Sequence, residues 1–322
     1  MVAAVAESPQ LSQLESLHLN GHQLNPSAVA RLADSPLAES LRVLRLSVCG
    51  LDADAMQMLA DGRWPNLHRL DLPGNRFEEV GAIFLAGSDG FPVLRSLNLG
   101  NCKLGTAGGV RLLGAGWFAG LRELNLSRNG LSAAFALAFV EKPPRRLCRL
   151  NLSNNGFGFE SAHVLCAADL PELTDLNLSH NKGGGNAAAD GLSKSGRMET
   201  LLTLNMDNTG MSGGAIWRLA DRPAPQFSRL SVSNNILGDG GARALAKAEW
   251  PVLRDLLIMT CNIGADGMSA IAEAPFFARL RQVGFYGNRL PTTGPAAQVF
   301  AQGYWITGSD PTWLNDAPGD DE

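Results

Sequence analysis

Two histidines, His18 and His22, stand four residues apart, a spacing that on a helix would aim both imidazoles at one metal ion. Their neighbours place them on a strand and at its exit instead, so no metal site is expected there. The five cysteines, Cys49, Cys102, Cys148, Cys166 and Cys261, are odd in number and lack CxxC spacing. That pattern argues against a disulfide framework and a zinc cage, and reduced thiols favour an intracellular, cytoplasmic setting. Gly238-Asp239-Gly240-Gly241 has the composition of a phosphate cradle, but such clusters recur at one phase of a longer period and read as a turn before a helix. The P-loop GxxxxGK(S/T), the nucleophile elbow GxSxG, the zincin HExxH and a strand-to-helix GxGxxG are all missing. The expectation is a chain that is not an enzyme, with no cofactor and no evident small-molecule substrate.

What positions these residues is a repeat. Apolar residues recur at Leu14, Leu41, Leu67, Leu94, Leu121, Leu147, Leu173, Leu201, Phe227, Leu253 and Leu280, with spacings of 26 to 28 residues. Numbering each as position 1, positions 4 and 6 are apolar in every copy and position 11 in most, as in Leu121-Arg122-Glu123-Leu124-Asn125-Leu126-Ser127-Arg128-Asn129-Gly130-Leu131. Apolar positions 4 and 6 around a mostly polar position 5 predict a strand with one buried face. Later segments such as Gly214-Ala215-Ile216-Trp217-Arg218-Leu219-Ala220 carry helical spacing. Trp64-Pro65, Phe91-Pro92, Leu170-Pro171 and Trp250-Pro251 then return the chain to the next strand, the bulky residue plugging the core edge and the proline ending the helix.

This L-x-x-L-x-L-x-x-N/C-x-L pattern resembles the leucine-rich repeat family over about residues 14 to 300. The repeat length and Ala-rich helices look most like its ribonuclease-inhibitor-like class. The resemblance implies an α/β fold: a solenoid, horseshoe in outline, with a parallel β-sheet on the concave face and α-helices on the convex face. Ten strand steps of about 4.8 Å give an inner arc of roughly 50 Å. One solenoid domain over 14–300 is expected, with an N-terminal leader or cap over 1–13. An aromatic-rich tail over 301–322 could cap the last repeat. Position 9 is Asn75, Asn129, Asn155, Asn181, Asn235 and Asn288, with Cys49, Cys102 and Cys261 substituting and His22 and Thr209 departing. A buried Asn there satisfies backbone groups as the chain leaves the strand, and the three cysteines are read as buried packing thiols. In repeat 7, Lys182-Gly183-Gly184-Gly185 replaces the apolar position 11, and a loose loop is expected.

Function must then lie on the concave positions 3, 5, 7 and 8. Five successive asparagines at position 5, Asn98, Asn125, Asn151, Asn177 and Asn205, form a ladder. Shared amide hydrogen bonds that stabilise the sheet are its preferred reading over a polar groove for a peptide. The Asn-Leu-Ser sequons at Asn125, Asn151 and Asn177 follow from the repeat itself. Arg42, Arg45, Arg69, Arg76 and Arg95, with His68, give the early repeats a positive character suited to an acidic partner, against the default of a solvated face. In the last repeats Leu257, Met259 and Tyr286, beside Arg254, Arg281 and Arg289, have the make-up of a binding hot spot. Two accounts stand: a partner uses this cluster, with Trp305 of the tail, or the tail folds back and covers it.

The net charge of −4 gives no basic field for nucleic acid, and no window is long and apolar enough to span a membrane. The leading expectation is an interaction module or scaffold that holds a protein partner through the concave face and C-terminal repeats. The alternatives are a constitutive subunit of a larger complex, a GTPase activator of the Ran type, and a substrate receptor of the bacterial effector type. Activators of the Ran type also use about eleven such repeats, but their functional loop residues have no match here. The effector receptors couple an F-box to shorter repeats, and residues 1–13 leave no room for one.

Overall fold

The computed structural model describes residues 5–6 and 8–302, in two compact units: 1–155 with 169–172, and 156–168 with 173–322. The first unit carries strands β1 (Ser16–His18), β2 (Val43–Arg45), β3 (Arg69–Asp71), β4 (Ser96–Asn98), β5 (Glu123–Asn125) and β6 (Arg149–Asn151). Helices α1 (Pro26–Ala33), α2 (Ala53–Asp61), α3 (Glu78–Gly87), α4 (Gly105–Leu112) and α5 (Ala133–Glu141) alternate with them. The second unit holds α6 (Phe159–Ala167), β7 (Asp175–Asn177), α7 (Gly185–Lys194), β8 (Thr203–Asn205), α8 (Gly213–Ala220), β9 (Arg229–Ser231), α9 (Gly238–Ala246), β10 (Asp255–Leu257), α10 (Ala265–Ala272), β11 (Gln282–Gly284) and α11 (Gly294–Gln302). Within each unit the strands lie in chain order and pair in parallel, with like repeat positions opposite one another, as Leu44 opposite Leu70 and Leu204 opposite Leu230. A strand followed by a helix, repeated in this register, is an α/β solenoid.

Each strand is three residues long. The Oδ1 of Asn98, Asn125, Asn151, Asn177 and Asn205 accepts the N–H two residues on, at 2.9 to 3.0 Å. The asparagine ladder is thus not a chain of amide bonds between strands. Each amide bonds along its own chain. Position 8 then turns the backbone: in all eleven repeats it has a positive φ, from Gly21 and Val48 to Thr260 and Gly287. Gly or Asn fills most of these sites, the residues that tolerate this conformation. Position 8 is therefore framework, a correction to its expected place among the freely variable positions.

The core lies between strands and helices. Positions 4 and 6 are buried in every repeat and position 1 in all but the first and last, where Leu14 and Leu280 are half-buried; the linker residues Trp64, Phe91, Leu170 and Trp250 are buried too. Trp64 Nε1 donates to Leu59 O at 3.0 Å, which ties the linker to the end of α2. Helices α1 and α2 start on side-chain caps, Asn25 Oδ1 accepting Ala28 N–H and Asp52 Oδ1 accepting Ala55 N–H. The glycine run of repeat 7 is not loose. A Cβ on Gly184 would stand 2.7 Å from Phe157 O, and one on Gly185 2.9 Å from Met211 N, so these glycines are where backbones meet. The cluster at Gly238 also differs from expectation: only Gly238, at φ +60°, is turn-like, and the other three residues lie inside α9.

Candidate sheet-face interaction surface

Position 9 joins adjacent repeats. Asn75 Oδ1 accepts from Cys49 N–H (2.9 Å) and Leu51 N–H (3.1 Å), while its Nδ2 donates to Leu46 O and Leu72 O, both at 2.8 Å. Asn129, Asn155, Asn235 and Asn288 likewise accept from positions 9 and 11 of the preceding repeat and donate to carbonyls of both repeats. Asn181 accepts from Phe157 N–H and donates to Leu178 O. Cysteine performs half of this. The Sγ of Cys49, Cys102 and Cys261 donates to Leu19 O, Leu72 O and Val232 O, but sulfur takes no N–H. Backbone carbonyls substitute, Cys49 O accepting Leu24 N–H and Cys261 O accepting Leu237 N–H. Burial raises the pKa of all three thiols, to about 12 for Cys102 and Cys261, which removes the thiolate that redox or metal chemistry needs. Among the described residues no group of three or more His, Cys, Asp or Glu is arranged to hold a metal, and no helix is long and apolar enough to cross a membrane.

On the sheet face of the first unit part of the expected positive patch is paired with carboxylates. Asp71 Oδ2 lies 3.2 Å from Arg45 Nε and 2.9 Å from Arg69 Nε. Glu123 takes Arg149 Nη1 at 2.6 Å and the Ser96 hydroxyl at 2.9 Å, with Arg69 Nη1 at 3.9 Å. Arg42 pairs with Glu15, and Arg95 donates to Leu94 O. Asp71 is only 5% exposed, and its Oδ1 has no hydrogen-bond partner. Strand spacing explains the pairing: residues at positions 3 and 5 of the same or neighbouring strands are within reach of long side chains, so Arg45, Arg69 and Arg149 each find a carboxylate.

In the second unit the hot-spot residues separate. Tyr286, at position 7 of the last repeat, is 68% exposed, beside exposed Arg281 and Arg289. Met259 is half-buried. Leu257 is only 1% exposed and is corrected from the open cluster to the covered part of the face. Its partner across the ladder is Gly284, and a Cβ there would stand 2.8 Å from Leu257 Cδ2 and 3.3 Å from Met259 Cγ. The leucine therefore lies over the space a side chain would fill. Trp305 falls outside the described residues. Beyond the sheet face, Phe159 and Trp217 on α6 and α8, and Ile236 before α9, are exposed apolar residues that the repeat code did not single out. Trp217 stood out only as a large residue among alanines.

Asp255, at position 3 of β10, is mostly buried and pairs with Arg229 Nε at 3.0 Å. Burial raises its carboxyl pKa from 3.8, outweighing the attraction of Arg229. A carboxyl raised on folding holds its proton more tightly in the native state. Its stabilising contribution is therefore present below the unfolded value and lost as pH rises through the folded one. Asp255→Asn should remove this loss: thermal melts at stepped pH from 3.5 upward should show the native chain losing stability relative to the variant. A constant difference across that range would show that the carboxyl is not raised.

A family model described as a leucine-rich repeat matches residues 92–113. No curated protein matches the sequence. Among solved structures, an internalin (inlF) from Listeria monocytogenes str. 4b F2365 is similar, with a TM-score of 0.57 and 17% identity over 96% of this chain and 94% of that one. A chain of the Rad7–Elc1 complex in yeast is similar at a TM-score of 0.50 and 16% identity, over 88% and 86%. These identities speak for the fold alone. Strands in like register within each unit, strand alternating with helix, and one repeat matched by the family model give the chain the fold of leucine-rich repeat proteins.

Proposed function

We propose that the chain is a non-enzymatic interaction module that holds a protein partner on the sheet face of its second unit and at its last repeats. The observation that carries this reading is Tyr286, a large aromatic 68% exposed on the sheet side between exposed Arg281 and Arg289. Aromatic and arginine residues together are the usual anchors of a protein interface. Met259 extends the anchor along the face. Arg45 and Arg69, held by Asp71, serve orientation more than attraction in this reading. Helices of eight to ten residues on the outer side fit the ribonuclease-inhibitor-like class. The proposed organisation is a leader over 1–13, repeats over 14–300 and a C-terminal tail over 301–322. Free, mostly buried cysteines suit a reducing, intracellular compartment.

The test is affinity purification of the tagged full chain from its native source. A stoichiometric protein should co-purify, and Tyr286→Ala combined with Arg289→Ala should weaken its binding about 10-fold or more, as expected for anchor residues, without changing the melting temperature. Absence of any stoichiometric partner, or binding undiminished in the double variant, would sink the reading.

A further inference from the structure

The asparagine ladder uses only half of each amide. Within the first unit, Asn98, Asn125 and Asn151 accept the backbone N–H of Gly100, Ser127 and Ser153 at Oδ1, at 2.9 to 3.0 Å. That bond settles which end of each amide is oxygen and leaves the NH2 group for another acceptor. Among the described residues none takes it. The hydroxyls of Ser127 and Ser153, two positions further along the chain, have no partner there either. Asn98, Asn125, Ser127 and Ser153 are half-buried, and Asn151 is 8% exposed. A donor on a sheet face can be satisfied from within, as in the second unit, where the Ser231 hydroxyl donates to Asp207 Oδ1 at 2.6 Å. The unused donors of the first unit are also in register. Asn98 lies opposite Asn125, and Asn125 opposite Asn151, so the three amides recur at the strand spacing of about 4.8 Å and span ~9.6 Å from first to third.

We propose that the sheet face of the first unit binds a helix of a partner protein, laid across β4, β5 and β6 and carrying Asp or Glu at i, i+3 and i+7. Spacing selects the helix. Those three positions share one helical face and span about 10.5 Å along the axis, within ~1 Å of the ladder. The same-face residues i, i+2 and i+4 of an extended peptide span about 13 Å, too long by ~3.6 Å. Charge selects the acceptor. Positions 3 and 5 of β2 to β6 carry Arg45, Arg69 and Arg149 against Asp71 and Glu123, so arginines outnumber carboxylates and the NH2 donors meet a carboxylate in preference to a neutral amide. This surface is separate from Tyr286 and the last repeats.

The experiment titrates the full chain with a stapled alanine-rich helix bearing Glu at i, i+3 and i+7, read by fluorescence anisotropy. The diagnostic variant combines Asn98→Asp with Asn125→Asp. Each aspartate keeps an oxygen for the Gly100 or Ser127 N–H but replaces the NH2 donor with a second oxygen. Affinity should fall at least about 10-fold, the range for losing a hydrogen bond to a charged group, with the melting temperature unchanged. A second readout needs no variant: in the native chain the side-chain NH2 resonances of Asn98, Asn125 and Asn151 should shift on titration. That of Asn66, bonded to Glu39 O at 2.7 Å, should stay in place. Absence of saturable binding, undiminished affinity in the double variant, ladder resonances unmoved at saturation, or tighter binding of an extended peptide with Glu at i, i+2 and i+4 would each overturn the proposal. Neither readout involves Tyr286 or Arg289, so failed capture through those residues leaves this inference standing, and the reverse also holds.

Discussion

Asn235→Ala should lower the folding stability by about 4 kcal/mol, because it strands several buried backbone groups at roughly 1–3 kcal/mol each. Asn235 Oδ1 accepts from Thr209 N–H (3.1 Å) and Met211 N–H (2.8 Å), and its Nδ2 donates to Met206 O and Val232 O, both at 2.8 Å. The residue is almost fully buried, so water cannot replace the amide. Cysteine provides an internal comparison. Asn235→Cys keeps a donor, as Cys261 does toward Val232 O, and should cost about half as much, near 2 kcal/mol, the lost part being the two N–H groups. The carbonyl of residue 235 can recover one of these, as Cys49 O does for Leu24 N–H. Urea unfolding midpoints of the three proteins decide the matter. If alanine costs less than about 1 kcal/mol, or cysteine costs as much as alanine, the amide is not the joint between repeats.

The contrast between asparagine and cysteine also shows how far the sequence could be read. The period, the strand at positions 3 to 5 and the buried role of position 9 follow from residue type alone, since apolar spacing and a lone buried amide have few other uses. The left-handed turn at position 8 was equally legible: Gly21, Gly74 and Gly287 with Asn101, Asn154, Asn208 and Asn234 make seven of its eleven residues. Val48 and Thr260, β-branched residues at φ 55° and 52°, obscured it. Charge was less legible, because a count of arginines does not say where carboxylates fall. Arg45 and Arg69 share Asp71, which lies on the next strand from the first and on the same strand as the second. The exposure of Leu257 was beyond a repeat code altogether. It depends on the glycine opposite, which position 5 of its own repeat does not encode.

The glycine-alanine phrases of the helices yield the second large effect. Gly213, the first residue of α8, lies against the next repeat, and a Cβ there would overlap Leu237 O and stand 3.1 Å from Gly241 N. Both obstacles are backbone, and backbone in a stacked array cannot rotate away as a side chain can. Gly213→Ala should therefore destabilise the chain by about 2–3 kcal/mol, the range of overpacking a well-filled core. Gly240 supplies the opposite sign within the same packed pair of helices. It lies on the outer side of α9 with nothing within 4 Å of its would-be Cβ and without a positive φ. Gly240→Ala should thus stabilise by about 0.5–1 kcal/mol, through the lower entropy of the unfolded chain. Glycine in these helices then has two separable roles, close approach at Gly213 and accident of composition at Gly240. Urea midpoints of the two variants should move in opposite directions. Movement in the same direction would show that helix propensity, not the approach of neighbouring backbones, sets where glycine is needed.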